Sequence, residues 1–240
     1  MNRFTIFCVV LLAITQVDDA LGQENCYMAQ VFSGRYYGTD AELNDISTCI
    51  KIDLEDNRIT FEMVKTLADA LSQTAPKLKT LNMKDTTLTD EGVKLLLAAL
   101  EHRPNLKTID FSNNDITATG AVEISSFLRK KGVSVENIQL AVNSIGDEGA
   151  VALAQALQET PANAVTTLVL RSNKIGANGM KAFAAYVLEQ DNKKLVELNL
   201  KYNKFEKSSL TFINMQNHIH ANKAAAAEKG PLKIKNSDSL

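Results

Sequence analysis

One eleven-residue phrase returns six times along this chain and limits what it can fold into. It reads CIKIDLEDNRI from Cys49 to Ile59, then LKTLNMKDTTL from Leu78 and LKTIDFSNNDI from Leu106. It continues as VENIQLAVNSI from Val135, VTTLVLRSNKI from Val165 and LVELNLKYNKF from Leu195. Successive starts lie 29, 28, 29, 30 and 30 residues apart. Units of this size cannot bury their apolar side alone, so a period held over six copies predicts a stacked array with one continuous core.

The order within a unit follows from periodicity. Ile52 and Leu54 alternate with Lys51, Asp53 and Glu55, which is the pattern of a strand with one buried face. The equivalent pairs are Leu81/Met83, Ile109/Phe111, Ile138/Leu140, Leu168/Leu170 and Leu198/Leu200. Three residues beyond each pair stands Asn57, Asn114, Asn143, Asn173 or Asn203, with Thr86 in the second unit. An amide there can satisfy backbone groups of neighbouring turns where the strand ladder has ended. A hydroxyl does only part of this, so the second turn is predicted to be the weakest. A glycine then recurs at Gly92, Gly120, Gly149 and Gly179, after polar residues suited to a helix start. Helical spacing follows, as in Val93-Leu96-Leu97-Leu100 and Val151-Leu153-Ala154-Leu157. Alanine-rich faces let neighbouring helices approach, and Pro76, Pro104 and Pro161 fall in the returns to the next strand.

Each unit is thus strand, turn, helix and return. The phrase and its 28–30-residue period, over about Cys49 to Ile219, resemble the ribonuclease-inhibitor-like subclass of leucine-rich repeats. The resemblance implies a curved α/β solenoid of about six repeats, with parallel strands lining the inside and helices outside. It also implies binding of a protein on the concave, strand-lined face. Members of the subclass include a ribonuclease inhibitor, a GTPase-activating protein for Ran and the sensor arrays of innate immune receptors. This chain departs from the first in being short and nearly free of Cys, and from the last in having no nucleotide-binding module.

The ends read differently. Met1-Asn2-Arg3, the apolar run Phe4–Ile14 and Ala20-Leu21-Gly22 have the charge, length and small residues of a secretory signal cut before Gln23. The run is shorter than the ~20 residues a membrane span needs. Residues 1–22 are therefore expected to be an export signal and 23–48, with Tyr27, Tyr36 and Tyr37, an N-terminal cap. Residues 49–222 form the solenoid and 223–240 a tail, with the last helix running from Ser208 to about Lys229. That helix turns polar at Gln216, Asn217, His218, His220 and Asn222, as a terminal repeat facing water does. Export would leave Cys26 and Cys49 in an oxidising compartment, where they either close a loop or remain two thiols with Cys49 in the core. The expected location is extracellular or periplasmic, and no Asn-x-Ser/Thr sequon is present.

Catalytic motifs are missing: there is no GxSxG, HExxH or Walker loop, so no enzyme activity, cofactor or metal is expected. His218 and His220, two apart, would diverge on a helix rather than form an i, i+4 metal pair. A formal net charge of −2 points to neither nucleic acid nor an anionic membrane. The exposed strand positions carry more. Asp53, Glu55, Asp85 and Asp110 make the first end of the concave face acidic, whereas Arg171 and Lys201 make the last end basic. Val142, Val169 and Tyr202 are expected to be exposed beside Arg171, the composition of an interface core. The alternative is an ordinary solvated sheet face, because isolated exposed apolar residues are normal. Three functions fit: a secreted monomeric module that captures a protein, a GTPase regulator resembling the Ran-directed relatives, or a secreted host-directed effector using the solenoid as a scaffold.

Overall fold

The structure is a computed structural model. It describes residues 49–228 apart from 74–76, 131, 161–162 and 190–191, together with the backbone of two strands at 13–18 and 23–28. The tyrosines 36 and 37, most of the expected cap and the tail beyond 228 lie outside the described residues.

Eight strands form one open sheet in chain order. β1 (Ala13–Asp18), inside the segment read as the export signal, pairs antiparallel with β2 (Gln23–Met28). β2 is parallel to β3 (Lys51–Asp53), and then come β4 (Thr80–Asn82), β5 (Thr108–Asp110), β6 (Asn137–Gln139), β7 (Thr167–Val169) and β8 (Glu197–Asn199), all parallel. Their register joins Ile52, Leu81, Ile109, Ile138, Leu168 and Leu198 in one row. Between the strands run α1 (Phe61–Gln73), α2 (Asp90–Leu100), α3 (Ala118–Leu128), α4 (Gly146–Glu159) and α5 (Ala177–Ala184). α5 runs on into a π-helical turn over Ala185–Glu189, and α6 (Leu210–Glu228) follows β8.

All six apolar pairs predicted for the strands are buried, and together with the helix faces they form one core. Strands ~4.8 Å apart and helices ~8–10 Å apart cannot stack without curving the array toward its strands. Helix spacing is kept short by the recurrent glycines. A Cβ on Gly149 would lie 2.8 Å from the Ala121 Cβ and 3.2 Å from the Ala118 Cα, closer than side chains pack.

The turn asparagines work as a ladder. Asn114 Nδ2 donates to the Met83 carbonyl of the preceding unit (2.8 Å) and to its own Phe111 carbonyl (3.0 Å), and its Oδ1 accepts from Leu88 N–H (2.8 Å). Asn143 repeats the pattern with Phe111, Leu140 and Ile116, and Asn203 with Leu170, Leu200 and Ile175. Asn173 likewise donates to Leu140 and accepts from Ile145 N–H. Thr86 is fully buried, yet its hydroxyl reaches only its own unit's Met83 carbonyl (2.7 Å) and Asn114 in the following one. Ile59 N–H, which an amide would otherwise take, bonds instead to the Thr86 backbone carbonyl at 3.2 Å. The first two turns are therefore joined without an amide rung, by this backbone bond and by the Thr87 hydroxyl, which donates to the Ile59 carbonyl at 3.4 Å.

The far end holds a correction. The polar residues of α6 do not simply face water: Asn222 is buried, and its Nδ2 donates to the Asn192 and Leu195 carbonyls at 2.6 and 3.0 Å. The His218 ring nitrogen also meets the Asn192 carbonyl, at 2.8 Å. The return into β8 carries carbonyls that no helix or strand satisfies, and α6 satisfies them.

The ladder predicts opposite outcomes at two sites. Asn143→Ala should destabilise by roughly 3 kcal/mol, because buried backbone groups lose their partners. Thr86→Asn should raise the unfolding free energy by about 1 kcal/mol, and with it the urea midpoint, as it supplies the missing rung. Equilibrium urea unfolding of both variants measures this.

Candidate protein-binding surface

Each turn after a strand bends through a left-handed residue at the same repeat position, Asp56, Asp85, Asn113, Val142, Ser172 or Tyr202, with φ between 54° and 61°, and the second and fifth turns have a second one at Thr87 and Lys174. The kink brings the following ladder residue inward and throws the left-handed residue's side chain toward the rim of the concave face. Asp, Asn and Ser tolerate this conformation, whereas a β-branched Val is strained in it. Val142 is nevertheless 38% exposed, and Tyr202 is 68% exposed.

At the first end, charge is more balanced than the acidic strand positions suggest. Lys51 pairs with Asp53 at 2.6 Å, and Lys84 pairs with Glu55. Asn82, itself buried, donates to Asp53 Oδ1 (2.9 Å) and Glu55 Oε2 (3.0 Å). The hydrogen bonds from Lys84 and then Asn82 hold the Glu55 carboxyl below the usual carboxylate range. Asp110 is half-buried and accepts from Ser112 N–H at 2.9 Å, while Asp85 stays exposed.

At the last end, the guanidinium of Arg171 lies 5.4 Å from the centre of the Tyr202 ring, and Lys207 Nζ lies 5.5 Å from it. Both are cation–π distances. Lys201 is exposed alongside. Arg171, Lys201 and Tyr202 thus come together as the sequence predicts. Val169 does not join them, because it is buried. In register it sits between Gln139 and Asn199, and neighbours on both sides of a closely spaced sheet cover a side chain of that length. Lys207 escapes a reading by repeat register, because it belongs to the irregular turn before α6 and to no copy of the phrase. Among the described residues no group of three or more His, Cys, Asp or Glu is placed to hold a metal ion. No described helix is long and apolar enough to cross a membrane.

The family model described as Leucine Rich repeat matches residues 74–97, 102–125, 135–154 and 164–184. Among curated proteins, the chain is 30% identical over 131 residues to Leucine-rich repeat-containing protein 45 of Gallus gallus, covering 54% of this chain and 19% of that protein. It is 34% identical over 145 residues to NACHT, LRR and PYD domains-containing protein 13 of Homo sapiens, covering 59% and 13%. To the Ribonuclease inhibitor of Mus musculus it is 24% identical over 181 residues, covering 64% and 39%. The chain therefore spans well under half the length of these relatives. Among solved structures, the tropomodulin C-terminal domain of Caenorhabditis elegans superposes with a TM-score of 0.54 at 12% identity, over 69% of this chain and 96% of that one. The chain carries leucine-rich repeats over the residues that the family model matches and has the fold of a leucine-rich-repeat solenoid. Its repeats have the features of the ribonuclease-inhibitor-like kind.

Two outcomes follow from this surface. Val142→Asn should stabilise the fold by about 1 kcal/mol, since Asn accepts the left-handed backbone that Val resists; differential scanning calorimetry reads the gain. The lowered Glu55 pKa contributes stability that is complete above the unfolded carboxylate pKa and is lost as pH falls through the lower folded value. Glu55→Gln should therefore flatten the acid limb of a stability–pH curve below the ordinary carboxylate range and, because Glu55 also holds the Lys84 pKa up, soften the loss of stability above the ordinary lysine range.

Proposed function

We propose that this protein captures a protein partner on the later part of its concave face, around Arg171, Lys201 and Tyr202. The observation that carries the reading is Tyr202, exposed on two-thirds of its surface and set between two cations. An exposed aromatic with an adjoining Arg is the composition of binding hot spots. Leucine-rich-repeat folds serve generally as protein-interaction modules, which supports a binding role over a catalytic one. Val142, strained and exposed two repeats before Tyr202, extends the patch toward the middle of the face. Strain of this kind tends to persist at functional sites.

In the same reading residues 1–22 direct export, the mature protein acts as a monomer outside the cytosol, and Cys26 bonds to Cys49. Support for the bond comes from the compartment, since export would leave both thiols where disulfides form and persist. The side chain of Cys26 lies outside the described residues.

The test is quantitative capture of a purified secreted partner by the full chain and by Arg171→Glu and Tyr202→Ala. Each variant should weaken binding by about tenfold or more, the scale of a hot-spot truncation, with an unchanged melting temperature. Capture that is indifferent to both changes would remove the concave-face reading.

A further inference from the structure

α6 and β8 leave between them a groove of about 730 Å³ at the open end of the solenoid. Its wall on α6 is a single stripe, Phe212, Gln216, Ile219 and Lys223, at helical spacing. In every interior repeat, the matching face of strand and helix is covered by the next unit. Here the floor is lined by Leu198 and Leu200, which are already nearly buried, and the accessible apolar surface of the groove belongs to the half-buried Phe212 and the exposed Tyr202. β8 is also the last strand of the sheet among the described residues. The Asn199 and Lys201 carbonyls accept from Leu170 and Ser172 of the preceding repeat, at 2.8 and 2.9 Å. In a parallel ladder, the N–H groups of the alternate residues, Leu198 and Leu200, then point away from β7 toward the open edge.

The rim decides what such an edge would accept. Lys201, Lys207 and Lys223 surround it, and among the described residues none of the three forms an ion pair with a carboxylate. Glu197 is the single acid among the lining residues. Three exposed cations around an apolar trough call for an anionic occupant, and an open strand edge calls for an extended one.

We infer that this end groove binds an extended acidic peptide segment of a partner, which adds as a further strand beside β8. Alternate apolar side chains would enter the trough and alternate carboxylates would meet the lysines. The surface shares Lys201, Tyr202 and Lys207 with the concave-face site. The chain's own residues 229–240 are less suited, because Lys229, Lys233 and Lys235 would bring positive charge to a positive rim.

The test titrates the full chain into a fluorescein-labelled eight-residue peptide alternating glutamate with valine, followed by anisotropy. Saturable binding is expected. It should weaken at least about tenfold when lysine replaces glutamate in the peptide, and by a similar factor in the Lys207→Glu/Lys223→Glu protein, the range over which charge complementarity acts. N-methylation of the peptide along one strand edge should abolish binding, and along the other edge leave it intact. Equal binding of the glutamate and lysine peptides would overturn the inference, as would indifference to N-methylation on both edges. Tighter binding to a Leu232→Asp/Ile234→Asp chain would also overturn it, by showing the tail to be the occupant. Lys223→Glu separates this site from the concave one. It must weaken the peptide, and partner capture through Arg171 and Tyr202 should not respond to it.

Discussion

A primary amide spanning two turns is what the rest of this structure depends on. Strands of three residues supply few ladder bonds, and the chain must leave each one through a tight bend that strips its carbonyls of partners. Asn114, Asn143, Asn173 and Asn203 each donate backward to the preceding unit's carbonyl and accept from that unit's N–H groups. No other side chain of this length has both donors and an acceptor on one planar head. The parallel register, the curvature and the even spacing of helices all follow once successive bends are locked together in this way.

That lock has a geometric cost one residue earlier. The bend needs a left-handed residue before every rung, and so fixes which side chain is thrown onto the rim of the concave face. At Asp56, Asp85, Asn113 and Ser172 the residue type suits the backbone. At Val142 and Tyr202 it does not, and these two are the large apolar side chains exposed at the turns of the later strands. The fold and the proposed function therefore compete for the same position in the repeat.

Repetition made the fold legible from sequence. Six copies averaged out local ambiguity, and alternation plus a fixed Asn assigned buried and exposed roles residue by residue. The surface was legible only in part. Asp85, Val142, Arg171, Lys201 and Tyr202 are exposed where the register places them. Val169 is buried, because strand alternation says which face a side chain takes and nothing of how closely its neighbours cover it. Lys51 and Lys84 offset an end that reads as acidic when strand positions are counted singly, since cross-strand pairing joins residues 29 apart in sequence. Lys207 and Asn192 lie in irregular returns, where no period exists to place them.

The attachment of α6 to Asn192 bears on how such an array changes length over generations. Asn192 binds Tyr186 and backbone N–H groups on one side, while its own carbonyl receives His218 and Asn222 on the other. A unit duplicated among the middle repeats would meet glycines, rungs and register already matched to it. A unit appended after α6 would have no Asn192 carbonyl to find and would leave His218 and Asn222 facing inward against a new neighbour. A unit gained or lost in the interior would therefore disturb fewer contacts than one inserted directly after α6.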